Sequence, residues 1–314
     1  MIFNKYNKEE NLYILNYPEN EEELCALECR VLFNKEAKGK YLFSNYNFDA
    51  SNSPFIKSAL RIKVFKNSLE EVIEEIKEKN ISYENFKVIY LRLEDCDISY
   101  KERLDSVYKV GTAVNGIANI KNPSITLGLV KVQNYWIFGE FDKNNCLWHI
   151  HDKKPKSYSN SLSFRVAKSL INIGIGRDRS LKVIDPCCGV GTVILEGLFM
   201  GVDIEGVEIK PQIASDCKRN LEFFNYKDVI TKGNIKDIEK VYDVSIIDIP
   251  YGVFTPTTKE EQELIINSAR KISKKLILIS FENMDEMLHQ AGFKVEDSAS
   301  FSKGNFIRYI SVCI

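Results

Sequence analysis

A chain of 314 residues is long enough for two or three domains, and its 44% hydrophobic and 28% charged content sits in the ordinary globular range. No apolar run reaches the ~18–20 residues of a membrane span and the N-terminus has no signal-peptide pattern, so a cytoplasmic protein without membrane contact is expected. The net charge of −1 gives no whole-chain attraction to nucleic acid.

Residues 11–17 read as a strand. Residues 21–33 read as a helix with an apolar stripe of Leu24, Cys25, Leu27, Val31 and Leu32, and 40–55 are less regular. A strand over 59–65 follows, Ser68 is placed to cap a helix over 69–79, and 86–93 is a further strand. Residues 125–132 and 135–141 form a hairpin that turns at Gln133-Asn134. None of these segments carries a catalytic cluster. The eight cysteines and three histidines show no zinc-site spacing, so reduced, mostly buried thiols and no metal are expected. His149 and His151 alternate at what reads as a strand end, as surface or loop-packing residues.

The chain turns polar and basic after Trp148, and a domain boundary falls near 150–157. Residues 151–182 hold eight Lys or Arg against two Asp, a local charge of +6. That stripe is either a phosphate-contacting surface or a solvated linker and helix face. A helix over 161–173 leads into regular alternation: strands over 182–184, 202–207, 229–232, 242–247 and 276–280, with helices over 192–200, 211–224, 259–273 and 284–291. Segments 293–300 and 305–313 close as a hairpin-like pair. The result is an α/β class, doubly wound sheet of seven strands. In such sheets ligands bind beyond the carboxyl ends of the strands, where the strand order reverses.

Three acidic residues end strands on that edge. Asp185 precedes the loop Pro186-Cys187-Cys188-Gly189-Val190-Gly191-Thr192, Glu208 ends the second strand, and Asp248 opens Asp248-Ile249-Pro250-Tyr251-Gly252. A glycine loop lets a ligand approach bare backbone. It departs from the dinucleotide pattern because position 194 is Ile, it lacks a Lys-Ser/Thr phosphate signature, and it contains no cation. A nucleoside without phosphates fits better: S-adenosylmethionine, with its ribose on Glu208, its methionine end near Asp185 and Gly189, and adenine beside Asn234 or Ile235. The loop after Asp248 suits an exocyclic amine of a nucleobase, whose lone pair is conjugated into the ring. The Asp248 carboxylate and the Ile249 carbonyl are proton acceptors held apart by rigid Pro250, and Tyr251 offers a ring for stacking.

Together, Asp185 to Thr192, Gly206-Val207-Glu208 and Asp248 to Gly252 resemble a class I S-adenosylmethionine-dependent methyltransferase of the amino-group type. More narrowly they resemble the THUMP-domain RNA methyltransferases that modify N2 of guanosine in tRNA. Lys154-Pro155-Lys156-Ser157-Tyr158 and Ala167-Lys168-Ser169-Leu170-Ile171-Asn172 match that family's segment before the glycine loop. The resemblance implies a seven-stranded Rossmann-like methyltransferase domain over 153–314. It also implies a smaller α+β region before it, with a ferredoxin-like domain over 1–55 and a THUMP-like RNA-binding domain over 56–152. It implies S-adenosylmethionine at Asp185, Gly189, Gly191, Thr192, Glu208, Ile209, Asn234, Ile235 and Asp248, and the target base at Asp248, Pro250 and Tyr251, with RNA, most naturally tRNA, as partner. Ile249 stands where a first proline is commoner, and Asn234 where Asp is usual for the adenine amine. Alternatives are guanine N2 in ribosomal RNA, adenine N6 in nucleic acid, and a decayed RNA-binding paralogue.

Overall fold

The computed structural model describes residues 10–94, 98–158, 161–250, 257–304 and 306–314. The chain divides into two compact units and passes between them three times. One unit takes the chain up to Asn16 with Ala37–Asn145, and the other takes Tyr17–Glu36 with Cys146–Ile314.

The first unit holds strand β1 (Asn11–Leu15), then, after helix α1 (Glu22–Phe33) of the other unit, β2 (Tyr41–Ser44), β3 (Ile56–Lys66) and helix α2 (Leu69–Glu78). It continues with β4 (Phe86–Tyr90), α3 (Tyr100–Ala113), β5 (Ile125–Val132) and β6 (Tyr135–Lys143). The strands make one six-stranded sheet in the order β2-β1-β3-β6-β5-β4. Ser68 caps α2 as its position predicts, its Oγ accepting the Glu71 N–H at 3.1 Å. The β5–β6 hairpin turns where expected, with Gln133 in the left-handed region at φ 53°.

Two expectations need correction here. Segments 1–55 and 56–152 are not separate domains. All five residues of β1 are buried and β1 pairs with β2 on one side and β3 on the other, so it is an interior strand of the shared sheet. Helix α1 belongs to the second unit, where its buried face meets a helix and a strand from the far end of the chain.

In that second unit α4 (Phe164–Ile175) precedes the alternation β7 (Lys182–Asp185), α5 (Thr192–Phe199), β8 (Asp203–Glu208), α6 (Pro211–Phe223) and β9 (Ile230–Lys232). Next come β10 (Tyr242–Asp248), α7 (Lys259–Ile272), β11 (Ser273–Ser280), α8 (Asp285–Gln290), β12 (Val295–Lys303) and β13 (Phe306–Cys313). The seven-stranded sheet runs β12-β13-β11-β10-β7-β8-β9, parallel from β11 through β9 and antiparallel at β13 and β12. The parallel strands are covered on both faces, which is why they read as unbroken apolar runs: Leu276, Ile277, Leu278 and Ile279 are all fully buried. On one face α4 comes so close that a Cβ on Gly174 would lie 3.2 Å from Val244. Arg30 of α1 grips Asp297 of β12 through Nε and Nη2, each at 2.8 Å, and α1's buried Glu28 accepts from Asn172 of α4.

The chain leaves β7 toward β8 and β9, then returns to β10 on the other side of β7. The order therefore reverses between β7 and β10, and a crevice opens at their carboxyl ends. No helix among the described residues is long and apolar enough to cross a membrane.

Candidate active site

The crevice is a cavity of about 520 Å³, a size suited to a nucleoside-scale ligand. Asp185, Glu208 and Asp248 enter it from the ends of β7, β8 and β10, and Gly189, Thr192 and Pro250 line the same space. Ile209, Asn234 and Ile235 complete the set named from the sequence. Gly191, also named from the sequence, is not among the lining residues. Tyr251 and Gly252 lie outside the described residues.

The glycine loop is shaped by two left-handed residues, Gly189 at φ 54° and Gly191 at φ 82°. Gly191 is also sterically required, because a Cβ there would sit 2.4 Å from the Cys217 sulfur. Glu208 holds the loop to β8: Oε2 accepts the Gly189 N–H at 3.0 Å and Oε1 the Lys210 N–H at 2.8 Å. Both carboxylate oxygens keep a further lone pair for ligand hydroxyls. Asp185 accepts the Cys187 N–H at 3.2 Å. Burial pushes its carboxyl well above the usual range, and the nearby Asp248 and Glu208 charges add to the shift. A cationic ammonium group is the chemistry that such a carboxyl would best receive.

Asn234 caps the short turn Ile235–Asp237, its Oδ1 accepting the Lys236 N–H at 3.2 Å. Any acceptance from an adenine amine would share that oxygen. The substitution of Ile249 for proline has a structural return. Ile249 is 1% exposed within the core that includes Ile184, Ile235 and Ile247, and its N–H donates to the Ile279 carbonyl at 3.0 Å, a bond proline lacks the hydrogen to make. Pro250 is held from the other side, its carbonyl accepting from Gln262 Nε2 at 3.4 Å.

Asp248 is partly buried, its side chain 23% exposed, and desolvation lifts its carboxyl to about 6 against the pull of Arg308 and Lys303. Arg308 Nη1 donates to Oδ2 at 3.3 Å. Oδ1 is enclosed and has no hydrogen-bond partner among the described residues. A buried acceptor without a partner is costly.

Several contributors were not legible in the sequence. Fully buried Asn220 of α6 accepts the Lys156 N–H through Oδ1 and donates through Nδ2 to the Lys156 and Val190 carbonyls, all at 2.9 Å, so it clamps the approach segment to the glycine loop. Lys154 donates to Thr192 Oγ1 at 2.7 Å, and burial lowers its ammonium to about 8. His151 departs from the strand-end reading: it lies in a 3₁₀ helix, Leu147–Lys153, fully buried, with Nδ1 2.6 Å from Glu196 Oε1. The basic residues of 151–182 are likewise divided, since Lys168 is fully buried beside Glu196 while Lys156 remains partly exposed beside Asp216.

Residues 152–289 match the family described as UPF0020, RMKL-like, methyltransferase domain. A tRNA (guanine(10)-N2)-dimethyltransferase of Pyrococcus abyssi is 27% identical over 168 residues, 50% of this chain and 49% of that protein. A probable tRNA (guanine(10)-N2)-dimethyltransferase of Methanothermococcus thermolithotrophicus is 30% identical over 122 residues, 35% of this chain and 74% of that protein. The match thus spans about half the length of the Pyrococcus relative. Among solved structures, that of TrmN from Thermus thermophilus aligns over 96% of this chain and 98% of its own, at 14% identity and a TM-score of 0.49.

Proposed function

The chain belongs to the RMKL-like methyltransferase family, and from that membership we propose that it transfers a methyl group from S-adenosylmethionine to the exocyclic N2 of guanosine in tRNA. The observation that carries the reading is the meeting of Asp185, Glu208 and Asp248 in one cavity.

The residues present fit the cofactor. In this reading Glu208 takes the ribose hydroxyls, Asp185 the methionine ammonium, and Asn234 with Ile235 the adenine. Gly189 keeps its side of the loop clear, since a Cβ there would meet nothing within 4 Å. Bound S-adenosylmethionine supplies an electrophilic methyl group on a sulfonium. Asp248 accepts a hydrogen bond from the guanine amine, which draws the nitrogen lone pair out of ring conjugation, and receives that proton once the nitrogen has taken the methyl group and become cationic. The Ile249 carbonyl receives the amine's other hydrogen, and Pro250 with Tyr251 flanks the base. Most of the acceleration comes from this positioning and from stabilising the charge that develops on nitrogen. The six-stranded unit is assigned to holding the RNA, a reading supported by the resemblance of the N-terminal region to THUMP proteins.

The test is incubation with methyl-labelled S-adenosylmethionine and unmodified bulk tRNA, followed by nucleoside analysis. Label in N2-methylguanosine or its dimethyl form is expected. Label only in another nucleoside, or in ribosomal RNA alone, overturns the substrate; absence of both transfer and cofactor binding overturns the activity.

A further inference from the structure

Asp248 and Arg308 are brought together by sheet register. Asp248 of β10 pairs with Ile279 of β11, which pairs with Ile310 of β13. Paired residues share a sheet face, and Arg308, two residues from Ile310, shares it too. Its side chain must therefore cross β11 to reach Asp248, a span of two inter-strand spacings, roughly 10 Å, within reach of only the longest side chains. The guanidinium is 3% exposed at the side chain, lies 5.0 Å above the Phe281 ring, and donates to Asp248 Oδ2.

We propose that Arg308 is a positioning residue for the proton acceptor: it fixes Oδ2 and with it the orientation and the charge of the Asp248 carboxylate. This rests on the role given to Asp248 above. The aromatic face of Phe281 holds the guanidinium flat, and a planar fork so held directs its N–H groups in a way that an ammonium does not. The other groups acting on Asp248 are Lys303 at the end of β12, which also favours the carboxylate, and Asp185 and Cys187 on the β7 side, which feel the Asp248 charge.

Two measurements separate this role from a merely structural one. In protein labelled with carboxyl-¹³C aspartate, the Asp248 resonance is identified by its absence in Asp248→Asn and followed through pH 4–9. Arg308→Met is expected to move its midpoint upward by about one unit or more. Arg308→Lys, which keeps the charge, is expected to hold the midpoint near that of the native protein and supplies a second variant if the first folds poorly. An unmoved midpoint in folded Arg308→Met overturns the proposal. In methyl transfer to unmodified tRNA, Arg308→Met is expected to lose at least about tenfold in kcat at neutral pH and to recover as pH rises. Arg308→Lys should show an intermediate kcat with the acid limb in place. Equal loss at every pH overturns the proposal. Full transfer by Asp248→Asn, or none to tRNA by the native protein, sinks the functional reading instead, and the NMR midpoint still decides the role of Arg308.

Discussion

The backbone N–H of Ile249 points at the carbonyl oxygen of Ile279 from 3.0 Å. That bond fixes the residue after Asp248 to the end of the neighbouring strand before any ligand arrives. A proline at this position achieves rigidity through its ring; this chain achieves it through a hydrogen bond and a buried aliphatic side chain. Ile249→Pro is therefore expected to destabilise the protein by about 2–4 kcal/mol, from the unpaired Ile279 carbonyl and the altered core packing. Urea denaturation measures the loss, and an unchanged midpoint would show that the bond contributes nothing.

Asp248 should trade stability for activity. Its carboxyl is raised to about 6 in the folded protein, above the unfolded value near ~3.9. The folded state thus binds more protons between those values, and the contribution of this group to stability falls as pH rises through that window. Asp248→Asn is expected to melt at a higher temperature than the native protein at pH 8, with the gain gone below about pH 4. The same change removes the acceptor and should cut methyl transfer at least about a hundredfold while leaving S-adenosylhomocysteine affinity nearly unchanged. In the native protein, transfer should rise with pH through about 6 and then level.

Asn220 ties two segments together with one amide, so its loss leaves two carbonyls and an N–H without their partner. Asn220→Ala should cost about 2–4 kcal/mol in denaturation and weaken cofactor binding, because Val190 of the glycine loop loses its anchor. Calorimetry with S-adenosylhomocysteine reads the second effect. Native affinity in the variant would mean that the clamp serves folding alone.

Glu196 is fully buried between His151, at 2.6 Å, and Lys168, at 3.9 Å. Removing one member of a buried charged group leaves the others without that compensation. Glu196→Ala is expected to cost about 3–5 kcal/mol, measured by chemical denaturation at neutral pH. A loss below about 1 kcal/mol would mean that this group is neutral in the folded state.

The sequence revealed most about the edge where the parallel strands end. Strands covered on both faces must be apolar throughout, so an acidic residue at their last position stands out, as Asp185, Glu208 and Asp248 do. What pairing across the chain decides was hidden. Helix α3 escaped notice because three large apolar residues, Tyr100, Leu104 and Tyr108, are more than half exposed, while small Ser106 and Ala113 face inward with Val110. Arg308 read as one residue of a closing strand, since its partner lies 60 positions earlier. Asn220 looked like any polar helix residue, for its partners lie in loops 64 and 30 positions away. The membership of α1 depended on Arg30 meeting Asp297, 267 residues later.

That last separation sets an order of events during synthesis. Helix α1 leaves the ribosome well ahead of α4, the helix whose Asn172 meets Glu28 144 residues further on, and the whole of Ala37–Asn145 intervenes. For that interval its apolar face, with Leu24, Leu27 and Leu32, has no native surface to cover it. Nascent chain in this state is a natural client for a holding chaperone. A fragment made by starting translation at residue 146 would never acquire the helix at all, leaving α4 and β12 bare where it belongs. Supplying residues 17–36 as a separate peptide is the way to restore such a fragment.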